Sequence, residues 1–339
     1  MSLSDFLIKN DVLIEYHGTD RYVTIPDGIV YLCPEAFWGK TALERVRIPD
    51  SVTQIDNRAF GNCPHLTEIS IPKTVTSIGK EAFACTPWLE ARRRENPLVI
   101  VNHILIDGQT CQGTAVIPDD VTRIGFSAFS GNTDLTGVVI PESVQEIWID
   151  AFSDTRLTKV VIPESTHLIK YHAFSKCSEL REVVFPNHRI SAEGQIFDDC
   201  PRLNKILCHD IAVPAEKYQT DYILELICHR KVSHYLSEAV RYPLLLKMFF
   251  LNPEDRELIE TIRAYSGLIL RFLIRENQTD LMTKLLSFGI LVTKENIDKL
   301  IVLAIEEKSY EIQLMLMNYK AKHIGYDSDE EIIQRKFAL

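Results

Sequence analysis

The chain has 339 residues, 46% of them hydrophobic and 25% charged, with a formal net charge of −10. That composition belongs to folded globular chains and excludes general disorder, and no apolar run reaches the roughly 18 residues that a bilayer span needs. Eight of the ten net negative charges fall in residues 1–210. Nucleic acid and anionic membrane, which call for a basic surface, are therefore not expected partners. The eight cysteines include no Cys-x-x-Cys pair, so neither a zinc-site spacing nor a redox motif is present. The opening residues, MSLSDFLIKNDVLIEYHG, lack the basic start and continuous apolar core of a secretory signal. The expected location is the cytoplasm.

A repeat organises the first two-thirds of the sequence. Ile-Pro places proline at 26, 49, 72, 118, 141 and 163, and Phe-Pro follows at 186; Ala-Phe places phenylalanine at 37, 60, 83, 129, 152 and 174, and Ile-Phe follows at 197. Both series run at intervals of 23, 23, 46, 23, 22 and 23 residues. Within one copy Leu66, Ile69 and Ile71 alternate with polar residues, the mark of a strand with one buried face. Pro72 ends that strand, since it cannot donate to a ladder. Val75 and Ile78 predict a second short extended segment, and Ala82-Phe83 a turn of helical character. Ordering a residue costs about 1–2 kcal/mol of backbone entropy, more than the apolar side chains of one copy return. Copies must therefore stack to be stable, which is the logic of a solenoid.

Asn102 to Asp107 resembles Asn10 to Glu15 at an offset of 92, four repeat lengths, so the array reads as an internal duplication. Residues 1–25 form an N-terminal cap of the solenoid, 26–209 the repeats, and 86–117 a hairpin-like module with a protrusion at Thr86 to Asn96. Cys63, Cys177 and Cys200 each lie three residues after the repeat phenylalanine, a slot that Asn132 takes in another copy, and Cys85 lies two after. These cysteines are expected to be structural.

The spacing Ala-Phe-x-x-Cys-x-x-Leu-x-x-Ile-x-Ile-Pro-x-x-Val-x-x-Ile-Gly at residues 59–79 resembles the bacterial BspA-like (Treponema pallidum-type) leucine-rich repeats. The resemblance covers roughly residues 23–208. It implies an α/β fold, a right-handed solenoid with a parallel sheet on one face, and a role in protein or surface recognition. Residues 86–108 look like an insertion common in that family. The glycine after the second strand stands at Gly79 and Gly125 but gives way to Asp56, Trp148 and Lys170.

After Cys208 the marker stops. Residues 210–339 carry apolar stripes of helical period, broken by Pro214, Pro243 and Pro253. Thr279 to Gly289 parallels Tyr310 to Tyr319 at an offset of 31, with an amphipathic helix at Lys294 to Lys308 between them. This all-α region of helical pairs resembles degenerate ankyrin-type repeats, without their Thr-Pro-Leu-His signature.

Catalytic chemistry is mostly missing. There is no His-x-x-x-His pair, no Gly-rich phosphate loop and no Gly-x-Ser-x-Gly elbow. No catalytic residue, cofactor or metal is expected. Arg92-Arg93-Arg94 is the sole basic run and reads as a solvated protrusion.

What remains is surface. In each strand the residue between the last two aliphatics points outward. That column reads Thr24, Arg47, Ser70, Val116, Val139, Val161, Val184 and Leu207; two residues earlier stand Tyr22, Arg45, Glu68, Thr114, Gly137, Lys159, Glu182 and Lys205. Five successive outward aliphatics predict an apolar strip flanked by charge. The candidate partner-binding residues are Val116, Val139, Val161, Val184, Leu207, Arg45, Arg47, Lys159 and Lys205. Strand propensity alone also explains the valines, as does cover by the helical region. The expected function is non-catalytic recognition of a protein partner. The alternatives are a cell-surface adhesin whose leader has been removed, and an enzyme or regulatory subunit with a site near residues 205–250, at Cys228, His229 and His234.

Overall fold

The computed structural model describes residues 3–185, 190–208, 211–214, 222–223, 226–227, 230 and 232–325. The chain divides into two units, Met1–His229 and Arg230–Leu339.

The first unit is built from stacked turns. A hairpin opens it: β1 (Phe6–Lys9) pairs antiparallel with β2 (Val12–Tyr16). Each turn then gives one strand to a face: β3 (Tyr22–Thr24), β5 (Arg45–Arg47), β7 (Glu68–Ser70), β11 (Gly113–Val116), β13 (Leu135–Val139), β15 (Lys159–Val161), β17 (Glu182–Phe185) and β19 (Lys205–Cys208). A two-residue strand follows on the next side: β4 (Tyr31–Leu32), β6 (Gln54–Ile55), β8 (Ser77–Ile78), β12 (Arg123–Ile124), β14 (Glu146–Ile147), β16 (Leu168–Ile169) and β18 (Ser191–Ala192). Pairing is parallel and keeps the repeat register, as in Tyr22 to Arg45 to Glu68. The pattern sets the helical region at 210, but a further strand, β20 (Ile211–Pro214), runs antiparallel to β19.

The repeat phenylalanines form two interior stacks, one in each half of the array. Ring centroids are 4.9 Å apart for Phe37–Phe60, 5.8 Å for Phe60–Phe83, 4.9 Å for Phe129–Phe152, 5.0 Å for Phe152–Phe174 and 5.5 Å for Phe174–Phe197. Tyr16 starts the column 5.1 Å from Phe37. Burial and a 2.9 Å hydrogen bond to Asp20 push its phenol up to about 12. The predicted helical character of the Ala-Phe turn gives way to left-handed backbone two residues before each phenylalanine. Glu35, Arg58, Glu81, Ser127, Asp150, His172 and Gln195 all have φ between +52° and +60°.

The predicted protrusion is a packed helix. Helix α1 (Pro87–Glu95) is capped by Thr86, whose side chain accepts from Leu89 N–H, and it buries Trp88 and Leu89. Its residues Ala91 to Arg93 lie 23 positions after β7, so the helix stands where the register would place a face strand. The Trp88 ring closes the first stack 4.7 Å from Phe83, and its amide donates to the Leu66 carbonyl at 2.9 Å. The hairpin of β9 (Val99–Val101) and β10 (Ile104–Asp107) then opens the second half. Gly108, at Tyr16 plus 92, makes the corresponding bond to Ala128 C=O at 2.7 Å, but a Cβ there would lie 2.2 Å from the Phe129 ring. The aromatic column is thus interrupted between Trp88 and Phe129.

The second unit contains α2 (Glu238–Leu251), α3 (Arg256–Ala264), α4 (Ser266–Arg275), α5 (Thr279–Phe288), α6 (Ile297–Glu306) and α7 (Tyr310–Tyr319). Helix α2 runs through Pro243 rather than breaking there, because seven of its side chains from Tyr242 to Phe250 are buried. The missing proline N–H removes one hydrogen bond, and that burial outweighs it. Asp255 caps α3 by accepting from Glu257 and Leu258 N–H and holds the buried Arg230 at 3.1 Å.

Candidate functional site

Five of the candidate residues sit in one column. Val116 and Val139 face each other across β11 and β13, and Val161, Val184 and Leu207 follow one another across β15, β17 and β19. Strands β13 and β15 adjoin through Thr158 N–H and Thr136 C=O at 3.2 Å, but belong to separate sheets. The column is not uniformly open. Val116 is 64% exposed, Val139 51% and Val161 50%, whereas Val184 and Leu207 are half-buried.

The flanking charges are already engaged. Glu182 takes Lys159 at 2.7 Å and Lys205 at 2.8 Å, a bridge across three neighbouring strands. Arg45 lies 3.1 Å from Glu68 and 5.4 Å from the centre of the Tyr22 ring. Arg45 and Arg47 belong to the three-stranded sheet β3-β5-β7, and α1 separates it in sequence from the sheet that holds Val116. The expected single charged margin is therefore two patches. Arg47 is exposed and makes no ion pair among the described residues.

The lysines hold the Glu182 carboxyl below the usual carboxylate range. A carboxyl lowered in the folded state contributes stability above that range and loses it as pH falls through the lowered value. Glu182→Gln should therefore lower the unfolding midpoint at neutral pH and flatten its decline on acidification. A pH series of thermal melts parallel to that of the unsubstituted chain would contradict this.

The cysteines cap carbonyls inside the stack. Cys63 donates its thiol to Phe37 C=O at 3.1 Å, Cys177 to Phe152 C=O at 3.2 Å and Cys200 to Phe174 C=O at 3.1 Å. Thr86 and Thr155 fill the same column, donating to Phe83 C=O at 2.7 Å and Phe152 C=O at 2.9 Å. Sequence reading missed these two threonines, though the three-residue offset from phenylalanine would have found them. Burial pushes the Cys63 thiol up, away from the nucleophilic thiolate. Cys85 stands outside the column and is exposed.

The basic run is engaged as well. Arg93 donates to both Asp107 oxygens at 2.9 and 2.6 Å, and Arg92 lies 5.7 Å from the Trp88 ring centre. On the second-strand side Trp148 is held between Arg123 at 4.7 Å and Lys170 at 5.3 Å. Glu146 is raised by burial, but hydrogen bonds from Arg123 and Trp148 outweigh this and lower it overall. Among the described residues no group of three or more His, Cys, Asp or Glu could hold a metal ion, and no helix is long and apolar enough to cross a membrane. Cys228 and His229 lie outside the described residues.

Parallel strands in repeat register around a stacked phenylalanine column define a leucine-rich-repeat solenoid. Within that class, the BspA-type leucine rich repeat region matches residues 16–103 and 109–214 in six copies, more than half of the chain. The chain belongs to that family. Similar solved structures include a leucine rich cell surface protein from Faecalibacterium prausnitzii A2-165, 23% identical over 60% of this chain and 74% of that one, with a TM-score of 0.31. The leucine-rich repeat protein of T. pallidum is 23% identical over 62% and 82%, with a TM-score of 0.27. The pneumococcal vaccine antigen PcpA is 16% identical over 61% and 65%, with a TM-score of 0.32. No curated protein matches the sequence.

Proposed function

We propose that the chain is a non-catalytic protein-recognition scaffold whose partner docks on the second half of the repeat face, along Val116, Val139, Val161, Val184 and Leu207. The observation that carries this reading is the half or greater exposure of three valines on successive face strands, spaced at about 4.8 Å where strands pair. Scattered exposed apolar residues are ordinary, whereas an aligned row is the pattern of an interaction surface. Glu182 pairs with both Lys159 and Lys205 beside the row, so these charges are engaged with one another and the valines offer an apolar contact. Arg45 and Arg47 supply a second, basic patch on the first half. A stacked array holds these side chains at fixed spacing, so little conformational entropy is lost on binding.

The test is the double substitution Val139→Glu with Val161→Glu. Both side chains point to solvent, so the circular dichroism and unfolding midpoint should match the unsubstituted protein. Burying two carboxylates in an apolar contact is strongly unfavourable, so partners cross-linked to the unsubstituted protein in its native cell should disappear. An unchanged set of cross-linked partners would exclude this face.

A further inference from the structure

The turn that ends at Cys85 lacks the hydrogen-bond partners that its counterparts have. In the turn two before it, the amides of Glu35, Phe37 and Gly39 donate forward to Asn57, Ala59 and Gly61 C=O at 3.0, 2.7 and 3.0 Å. In the next, Arg58, Phe60 and Asn62 donate to Lys80, Ala82 and Ala84 C=O at 2.9, 2.8 and 2.8 Å. The second half repeats the pattern from Ser127, Phe129 and Gly131 at 3.0, 2.8 and 2.8 Å. The equivalent amides of Glu81, Phe83 and Cys85 have no acceptor among the described residues. The insertion that follows turns away as α1, and Gly108 brings no side chain back. Phe83 is only 2% exposed, and a buried amide without a partner is rare in folded proteins.

These residues line a cavity of about 580 Å³. The lining also includes the Ser127 hydroxyl, a buried oxygen that has no hydrogen-bond partner among the described residues. The two carboxylates of the lining are occupied: Arg58 holds Glu81 at 2.7 Å, and Arg93 holds Asp107. Lys80 adds a cation that makes no ion pair among the described residues. What the cavity offers is therefore a surplus of donors, with the aromatic side chains of Trp38 and Phe126 as walls. The geometry points to a binding site for a small organic anion. Its carboxylate or phosphate oxygens would accept from the Glu81, Phe83 and Cys85 amides and from Lys80, with its flat apolar body between Trp38 and Phe126. The site lies apart from the exposed valine row and stands or falls independently of it.

The probes are benzoate, indole-3-acetate and adenosine monophosphate, each beside its uncharged counterpart (benzamide, indole-3-acetamide, adenosine). They are titrated into the isotope-labelled full chain while amide resonances are followed by NMR. At least one anion should shift the Glu81, Phe83 and Cys85 amides downfield, and its neutral counterpart should bind roughly tenfold or more weakly, the scale of a charged hydrogen bond. Lys80→Glu should weaken that anion by at least a similar factor with unchanged circular dichroism, and Ala84→Trp, which fills the space, should abolish binding. If no anion moves the three resonances at millimolar concentration, the site is refuted. Equal binding of anion and neutral counterpart, or an unaltered affinity in Lys80→Glu, refutes it too.

Discussion

Phe152→Ala is expected to destabilise the protein by about 3–5 kcal/mol, the range for truncating a fully buried aromatic side chain. Phe152 is completely buried, with Phe129 stacked 4.9 Å to one side and Phe174 5.0 Å to the other. Removing it empties a slot that two neighbouring rings share, and the parallel ladders on either side limit how far the turns can collapse into the space. In a solenoid each turn is stabilised mainly by its neighbours, so the damage should spread along the second half first. Amide exchange should accelerate across residues 104–208 before it does across 6–83. Uniform acceleration along the whole array, or a loss below about 1 kcal/mol, would show that the stack is not the source of cooperativity.

Trp88→Ala should cost a comparable amount, about 3–5 kcal/mol, and weaken the opposite half. Trp88 is 6% exposed and closes the end of the first aromatic column against Phe83. Without the indole, α1 loses its principal anchor and Phe83 is left bare at the insertion. The first half should then exchange fastest from its inner end, at residues 60–95, while the turns from Phe129 to Phe197 keep their protection. Segment-resolved hydrogen exchange reads both variants, and each should lose protection on its own side of the insertion. Identical patterns would mean that the interruption between Trp88 and Phe129 has no energetic consequence.

Much of this arrangement was legible in the residues themselves. Proline and phenylalanine markers at one period fix the strand ends and the core column, because only a stacked array needs both at constant spacing. The outward position of Val116, Val139 and Val161 followed from strand alternation. Partial cover of Val184 and Leu207 did not, since alternation gives the side of a strand but not what lies over it. Helix α1 escaped the reading because its Arg-rich run looks solvated, yet Arg93 folds onto Asp107 and Trp88 onto Phe83. Donors left open at Glu81, Phe83 and Cys85 are invisible in sequence for a different reason. An amide is unpaired only through what fails to arrive beside it in space.

The left-handed backbone two residues before each phenylalanine acts as a sieve on mutation. Val, Ile and Thr resist such dihedrals, because their branched Cβ meets the neighbouring carbonyl. None of them occurs in the seven slots, which hold Glu, Arg, Glu, Ser, Asp, His and Gln. All seven side chains are polar, and their charge varies from one rung to the next. Along this line the molecule can be recoloured during divergence while its shape is conserved.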